Sequence, residues 1–146
     1  MTAPLKLIAQ DSEDLQVLSV HLQDAIGRVA DTGFDPRGRR FALAMSRFRW
    51  EDQAARPAPP LRQRTVVLIE GAVRVRSRQL NRNDPESVLA LLAITFTPAT
   101  GDPGPAGTLT LAFAGGAEIA LDVEAIDVSL RDEGAPWIAQ STPRHG

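Results

Sequence analysis

Apolar and polar residues alternate with a period of two through most of the chain after Gly27, a pattern typical of half-buried β-strands. We therefore predict strands at residues 5–9, 28–34, 40–50, 63–70, 72–78, 89–97, 108–113, 118–123 and 126–130. Proline- and glycine-rich segments at 52–60 and 98–107 separate some of these runs and are predicted loops. The phase of the alternation shifts by one residue after Val123, which predicts a bulge or bend near Glu124 and Ala125.

A period of 3.6 appears once, near the start of the chain. Between residues 12 and 26, Leu15, Leu18 and Leu22 fall within one arc, and Asp11 offers a side chain for the helix N-cap. One helix and about eight strands predict an α+β fold that is mainly antiparallel β. The sheet is either curled over the helix or partly closed into a barrel.

The length of 146 residues fits one domain, which we assign to residues 1–146. Residues 134–146 are expected to form a C-terminal tail, apart from Trp137 and Ile138, which can dock on the body. No basic segment followed by an apolar run opens the chain, and no apolar stretch reaches the ~18 residues of a membrane span. We therefore expect a cytoplasmic protein without membrane contact.

The composition and motifs of the chain argue against most common kinds of catalytic and metal-binding site. The chain has no cysteine, which excludes disulfides, thiolate metal sites and cysteine nucleophiles. Its two histidines, His21 and His145, fit no zinc-binding spacing, and neither a nucleophile elbow nor a phosphate-binding loop is present. Acidic residues between Glu118 and Glu133 alternate with apolar ones, which favours a solvent-facing strand over a magnesium site. We therefore assign no catalytic residue, metal or cofactor.

The net charge of −2 conceals a segregation of charge along the chain. Residues 37–82 contain twelve of the sixteen basic residues and three acidic ones, so this window carries +9. The remaining residues carry −11. Local surface potential therefore differs strongly from what the total suggests.

Arginines recur at i, i+2 spacing, which places them on one face of a strand. We predict that they form a cationic panel for bidentate contact with phosphate or carboxylate, comprising Arg47, Arg49, Arg62, Arg64, Arg74, Arg76 and Arg78. Formation of this panel requires the strands to be neighbours. Phe48 and Trp50 would line an aromatic pocket beside it.

Three interpretations of this charge pattern remain open. The basic face can pair internally with the acidic C-terminal strands, since opposite charges across strands are common in sheets. It can instead contact the acidic part of a second copy, an acidic protein or an anionic small molecule. Binding of nucleic acid is disfavoured by the net acidity, the single lysine and the lack of a nucleic-acid-binding motif.

Several short stretches, taken in order, resemble a known family. They are LKLIAQD (5–11), HLQDA (21–25), RRFAL (39–43), RFRWE (47–51), VRSR (75–78), FAGGAEIALDVE (113–124) and SLRDEG (129–134). The chain is similar over 5–137 to an uncharacterised alphaproteobacterial domain-of-unknown-function family of about 145 residues. The resemblance implies a cytoplasmic bacterial protein and assigns no site residues.

Scarce catalytic side chains and segregated charge together favour a non-enzymatic binding or interaction domain. We expect a homodimer that uses its arginine-rich β face for self-association or for an anionic partner. The alternative is a small-molecule-binding protein or small enzyme with a pocket of arginine and carboxylate groups.

Overall fold

A computed structural model describes residues 3–53, 60–101 and 104–139. Its elements are β1 (Lys6–Ala9), α1 (Ser12–His21), β2 (Ile26–Arg28), β3 (Thr32–Asp35), β4 (Arg40–Phe48), β5 (Leu61–Glu70), β6 (Ala72–Arg78), β7 (Val88–Pro98), β8 (Gly107–Phe113), β9 (Glu118–Val123) and β10 (Val128–Ile138). Short 3₁₀ turns lie at Val29–Asp31, Trp50–Gln53 and Ala114–Gly116. No helix in these described ranges is long and apolar enough to cross a membrane.

The strands form one antiparallel sheet of ten strands in the order β1-β10-β5-β4-β2-β7-β8-β9-β6, and β3 pairs with β4 on the edge that β2 also uses. This confirms the predicted α+β fold with a curled sheet, which has ten strands where the sequence analysis expects about eight. We call β1, β10, β5, β4 and β3 the β5 half, and β7, β8, β9 and β6 the β8 half. Ile26 of β2 joins the halves because it pairs with both Ser46 and Ala90.

A bent two-stranded ribbon also connects the two halves. β5 continues into β6 across Gly71, and β9 continues into β10 across the segment 124–127. Gly71 has φ +72° and accepts a hydrogen bond from Glu124 N–H at 3.0 Å, while Glu70 N–H donates to Asp127 O at 3.0 Å. The bend predicted from the phase shift is therefore confirmed, and glycine provides the positive φ that the corner requires.

The helix ends earlier than its apolar periodicity predicts, at His21 instead of near residue 26. Asp11 caps its start as expected, with Oδ1 accepting from Asp14 N–H at 2.8 Å. Leu22 and Ala25 remain fully buried beyond the helix, while Asp24 between them takes φ +64°. The apolar period persists past the helix because these residues still face the core.

The segment predicted as one strand, 28–34, consists of two strands on different partners. β2 pairs mainly with β7, whereas β3 pairs with β4. Between them, Val29 N–H and Ala30 N–H donate to Ser87 O and Pro85 O, and this pulls the chain out of the ladder into a 3₁₀ turn. Local sequence does not reveal that the carbonyl oxygens of Pro85 and Ser87 accept these hydrogen bonds.

The core lies between the inner face of the curled sheet and α1. Its largest apolar side chains come from both halves and from the helix: Leu15, Leu18, Phe41, Met45, Ile69, Leu91, Leu109, Phe113 and Leu130. β10 continues through Ile138, which pairs with Leu61 of β5. The first part of the expected C-terminal tail, from Gly134 to Ile138, is therefore a strand of the sheet. Residues 140–146 of that segment lie outside the described ranges.

Candidate functional site

Arg47 and Arg49, two members of the predicted panel, are buried inside the molecule. Along β4, Phe41, Leu43 and Met45 face the core, and the alternation continues through Arg47, which is fully buried. Arg49 follows just beyond the strand and is only 2% exposed. This corrects the expectation of a surface role for these two side chains, because the period of two directs them inward.

The buried arginines bind a carboxylate from the opposite end of the chain. Arg47 Nε and Nη2 donate to Asp132 Oδ1 and Oδ2 at 2.9 and 2.8 Å, which is a bidentate contact. Arg49 Nη1 lies 3.4 Å from the same carboxylate, and Leu5 N–H donates to it at 2.7 Å. The Asp132 side chain is fully buried. One carboxylate therefore joins β4, β10 and the segment that precedes β1.

Two further carboxylates from the turn after β4 complete the cluster. Arg47 Nη1 and Nη2 donate to both oxygens of Glu51 at 2.9 and 2.7 Å, and Arg49 Nε donates to Asp52 at 2.8 Å. Burial by itself would raise the pKa of Glu51, but these bonds from Arg47 and the charges of both arginines hold it at about 2. Burial likewise opposes ionisation of Arg47, yet Asp132 and Glu51 raise its pKa above the ordinary value.

Gln63 and a backbone carbonyl satisfy the remaining donors of this cluster. Arg49 Nη1 donates to Gln63 Oε1 at 3.1 Å and Nη2 donates to Ala3 O at 2.9 Å. Gln63 Nε2 in turn donates to Glu133 O and Gly134 O, both at 2.9 Å, where the β5–β10 register shifts. The guanidinium nitrogens are thus occupied internally, and the cluster fastens the fold instead of offering a ligand site.

Arg62 and Arg64 lie on the outer face of β5, and β5 is paired with β4, so the condition for a panel is met between these two strands. Arg62 is half-buried, donates to Ser46 O at 3.1 Å, and burial lowers its pKa. Arg64 is exposed and lies 3.8 Å from Glu133. Both are cross-strand neighbours of β4 residues, yet β6 is at the far end of the strand order. The seven arginines therefore do not form one panel.

Arg74, Arg76 and Arg78 share the outer face of β6, at the edge of the β8 half. Arg76 is ion-paired with Asp122, and Arg78 Nη2 lies 3.3 Å from Glu118. Both carboxylates belong to β9, so this arrangement matches the internal pairing that the sequence analysis left open. Arg74 makes no ion pair within the part of the chain that the structure describes.

Phe48 and Trp50 contact each other in an edge-to-face arrangement, with ring centroids 4.5 Å apart. Phe48 is fully buried, and Trp50 Nε1 donates to Gln23 O at 3.1 Å. Neither side chain lines any of four cavities of about 140–450 Å³ found among the described residues. These two aromatic side chains therefore pack the end of the sheet.

The outer face of the β5 half carries small and apolar residues at its centre. We call this surface, formed by Ile8, Ala42, Ala44, Val66 and Leu68, the bare face. The register places Val66 beside Ala44 and Leu68 beside Ala42, and Ile8 is 55% exposed. Among the described elements none forms a layer over it, since α1 contacts β1 and β7. Outer faces of antiparallel sheets are normally polar, so this composition is unusual.

Charged residues lie beside the bare face, where Arg131 of β10 is in register with Val66, and their sign differs between the two ends of β5. Lys6 and Arg131 lie directly opposite each other across β1 and β10, and Arg64 lies farther along on β5. Glu70 occupies the other end of β5 and binds Arg40 at 3.0 Å, next to Asp35 on β3. One end of the face is therefore predominantly basic and the other more acidic.

Within the described ranges, no three histidine or acidic side chains are grouped so that they could hold a metal ion.

Comparison with curated proteins and with solved structures returns no match. Residues 5–145, almost the whole chain, match the model of a family described as "Protein of unknown function (DUF2948)". The chain therefore belongs to the DUF2948 family.

Proposed function

We propose that this protein is a non-enzymatic interaction domain that forms a homodimer through the bare face. The observation that carries the proposal is the uncovered apolar centre of that face on the β5 half. An apolar sheet face without a covering layer is stabilised when a second sheet packs on it, about 10 Å away. A second copy provides the same flat surface and forms a closed, two-fold symmetric pair.

The outer surface of the whole β5 half, with the bare face at its centre, is large enough for a modest dimer. Five strands spaced ~4.8 Å apart, over a length of ~20 Å, give roughly 500 Å² for each copy. A dimer would then bury roughly 1,000 Å² in total, near the lower limit for specific interfaces. Small side chains on β4, namely Ala42 and Ala44, let the facing sheet approach closely.

The charges at the ends of the face support this pairing. A two-fold axis across the strands reverses the direction of β5, so that Glu70 of one copy lies opposite Arg64 of the other. The same operation places Leu68 of one copy over Val66 of the other, at the centre. On β5, Glu70 and Arg64 then face each other at both ends of the strand, which favours this register over one that places Glu70 opposite Glu70.

Charge exchange tests this arrangement. Glu70→Arg and Arg64→Glu, each alone, should weaken the dimer at least tenfold in sedimentation velocity, because each places like charges opposite each other. An equimolar mixture of the two variants should regain dimers, since both contacts again join opposite charges. The matched control is Glu118→Arg, an ion-paired glutamate on the outer face of β9, which should leave the assembly unchanged.

A charged residue introduced into the bare face provides a second test. Leu68→Glu should yield a protomer of 15.7 kDa in light scattering, where the native protein has twice that mass. Val73→Glu, at a strand residue 51% exposed on β6, should remain dimeric. A native protein that is monomeric at millimolar concentration contradicts the proposal, as does a mixture of charge variants that fails to re-form dimers.

A second candidate function is binding of an anionic partner by Arg74, Arg76 and Arg78. Carboxylates of β9 already pair with Arg76 and Arg78, and Arg74 has no ion pair in the described chain. These three arginines together therefore retain a net positive charge. Arg74→Glu combined with Arg76→Glu should abolish retention of polyglutamate at low salt. If native and variant protein are retained equally, the arginines of β6 serve only the ion pairs within the sheet.

A further inference from the structure

The curled sheet remains open along one seam, between β3 and β6. Each of these strands pairs on one side only, β3 with β4 and β6 with β9. At one end the seam is fastened by Ala72 N–H, which donates to Arg39 O at 2.9 Å. Beyond that bond the strands enclose a cleft of about 300 Å³. Its size corresponds to the lower limit for small-molecule sites, ~300 Å³.

The cleft is lined by the inner faces of strands, so its walls are apolar. Phe41 and Ile119 form fully buried parts of the lining, and Phe34 and Val75 are half-buried on the two facing strands. Leu80, in the loop after β6, is also half-buried there. The core is therefore incompletely covered at this seam, and an apolar group that entered it would bury these side chains further.

Arg82 is the single charged side chain among the described residues that line the cleft. Its Nε donates to Ser77 Oγ at 3.1 Å, which orients the guanidinium at the seam. No carboxylate of the described chain is ion-paired with Arg82, whereas Arg76 and Arg78 on the preceding strand, β6, are ion-paired. Its Nη groups are thus available for bidentate contact with an anion.

We propose that this cleft binds a small amphipathic carboxylate, such as a medium-chain aliphatic acid. The carboxylate contacts the guanidinium of Arg82, and the aliphatic body packs between Phe34 and Val75. The combination of one unmatched cation and an apolar lining selects against neutral and cationic molecules of the same shape. This site is independent of the dimer, because the bare face belongs to the outer surface of the β5 half.

Calorimetric titration with sodium salts of hexanoic to dodecanoic acid, below their micellar concentrations, tests the proposal. Affinity should increase about fourfold for each methylene until the cleft is filled, the factor that corresponds to ~0.8 kcal/mol per buried CH₂. Decanol and decyltrimethylammonium should bind at least tenfold more weakly than decanoate. Failure of the native protein to bind any of these carboxylates at millimolar concentration would overturn the proposal.

Two variants separate the cleft from non-specific surfactant binding. Arg82→Met keeps an unbranched apolar side chain but removes the guanidinium, and it should weaken decanoate binding at least tenfold without changing decanol binding. Leu80→Trp should fill the cleft and remove binding of both, with an unchanged far-ultraviolet spectrum. The matched control, Arg37→Met, replaces an exposed arginine in the turn between β3 and β4. Equal affinities for decanoate in Arg82→Met and Arg37→Met would refute the assigned role of Arg82.

Discussion

Removing the charge of Asp132 should be among the most destabilising single changes in this chain. Its fully buried carboxylate accepts from Arg47 at 2.8 and 2.9 Å, from Arg49 at 3.4 Å and from Leu5 N–H at 2.7 Å. Asp132→Asn leaves the two guanidinium groups buried with one carboxylate fewer. Breaking a buried pair in this way costs about 3–5 kcal/mol, a large share of the ~5–15 kcal/mol that stabilises a typical domain.

Denaturation by urea at pH 7, followed by tryptophan fluorescence and circular dichroism, measures this cost directly. A loss of 3–5 kcal/mol should also lower Tm by roughly 10 °C or more in a domain of this size. Glu133→Gln is the matched control, because Glu133 lies next in sequence and makes two partly exposed ion pairs at 3.6 and 3.8 Å. Exposed pairs contribute about 0.2–1 kcal/mol. Equal free energies of unfolding for both variants would refute the structural role of the buried cluster.

Two further changes test the site and the packing of the sheet. The pKa of Glu51 is lowered from 4.5 to about 2, so its stabilising contribution is present above pH 4.5 and is lost as pH falls towards 2. Glu51→Gln should reduce the loss of stability between pH 5 and 2 by ~3 kcal/mol in acid titrations of unfolding. Gly107→Ala places a Cβ in a clash with the carbonyl oxygen of Thr97 and should cost about 1–3 kcal/mol, whereas the Cβ of Gly33→Ala meets no atom of the described residues within 4 Å. Equal urea midpoints for these alanine variants would contradict the packing described at Gly107.

Period-two alternation was sufficient to predict most strands because their inner residues pack on one core. β6 and β9, for example, begin and end at the predicted residues. The same alternation could also have located the buried cluster. Arg47 continues the core-facing positions of β4, and Asp132 continues those of β10 after Val128 and Leu130. Two opposite charges at inward positions indicate a buried ion pair, since an unpaired buried charge is too costly.

Other features depend on contacts that local sequence does not encode. The arginine panel was predicted from spacing within strands, but its formation also required strand order, and β6 is separated from β4 and β5 by the rest of the sheet. The seam that contains Arg82 is likewise a property of tertiary closure, because it exists only where β3 and β6 fail to pair. Neither arrangement has a periodic signature in the chain.

The pairing of β1 with β10 also affects the order in which the protein can fold during synthesis. β1 pairs with β10 alone, and the hydrogen bond from Leu5 N–H to Asp132 spans 127 positions in sequence. β1 is made before the other described strands and must therefore wait for nearly all of them before it finds its partner. Such distant contacts slow folding. β1 therefore joins the sheet only after β10 has been made, whereas α1 can already pack on β7.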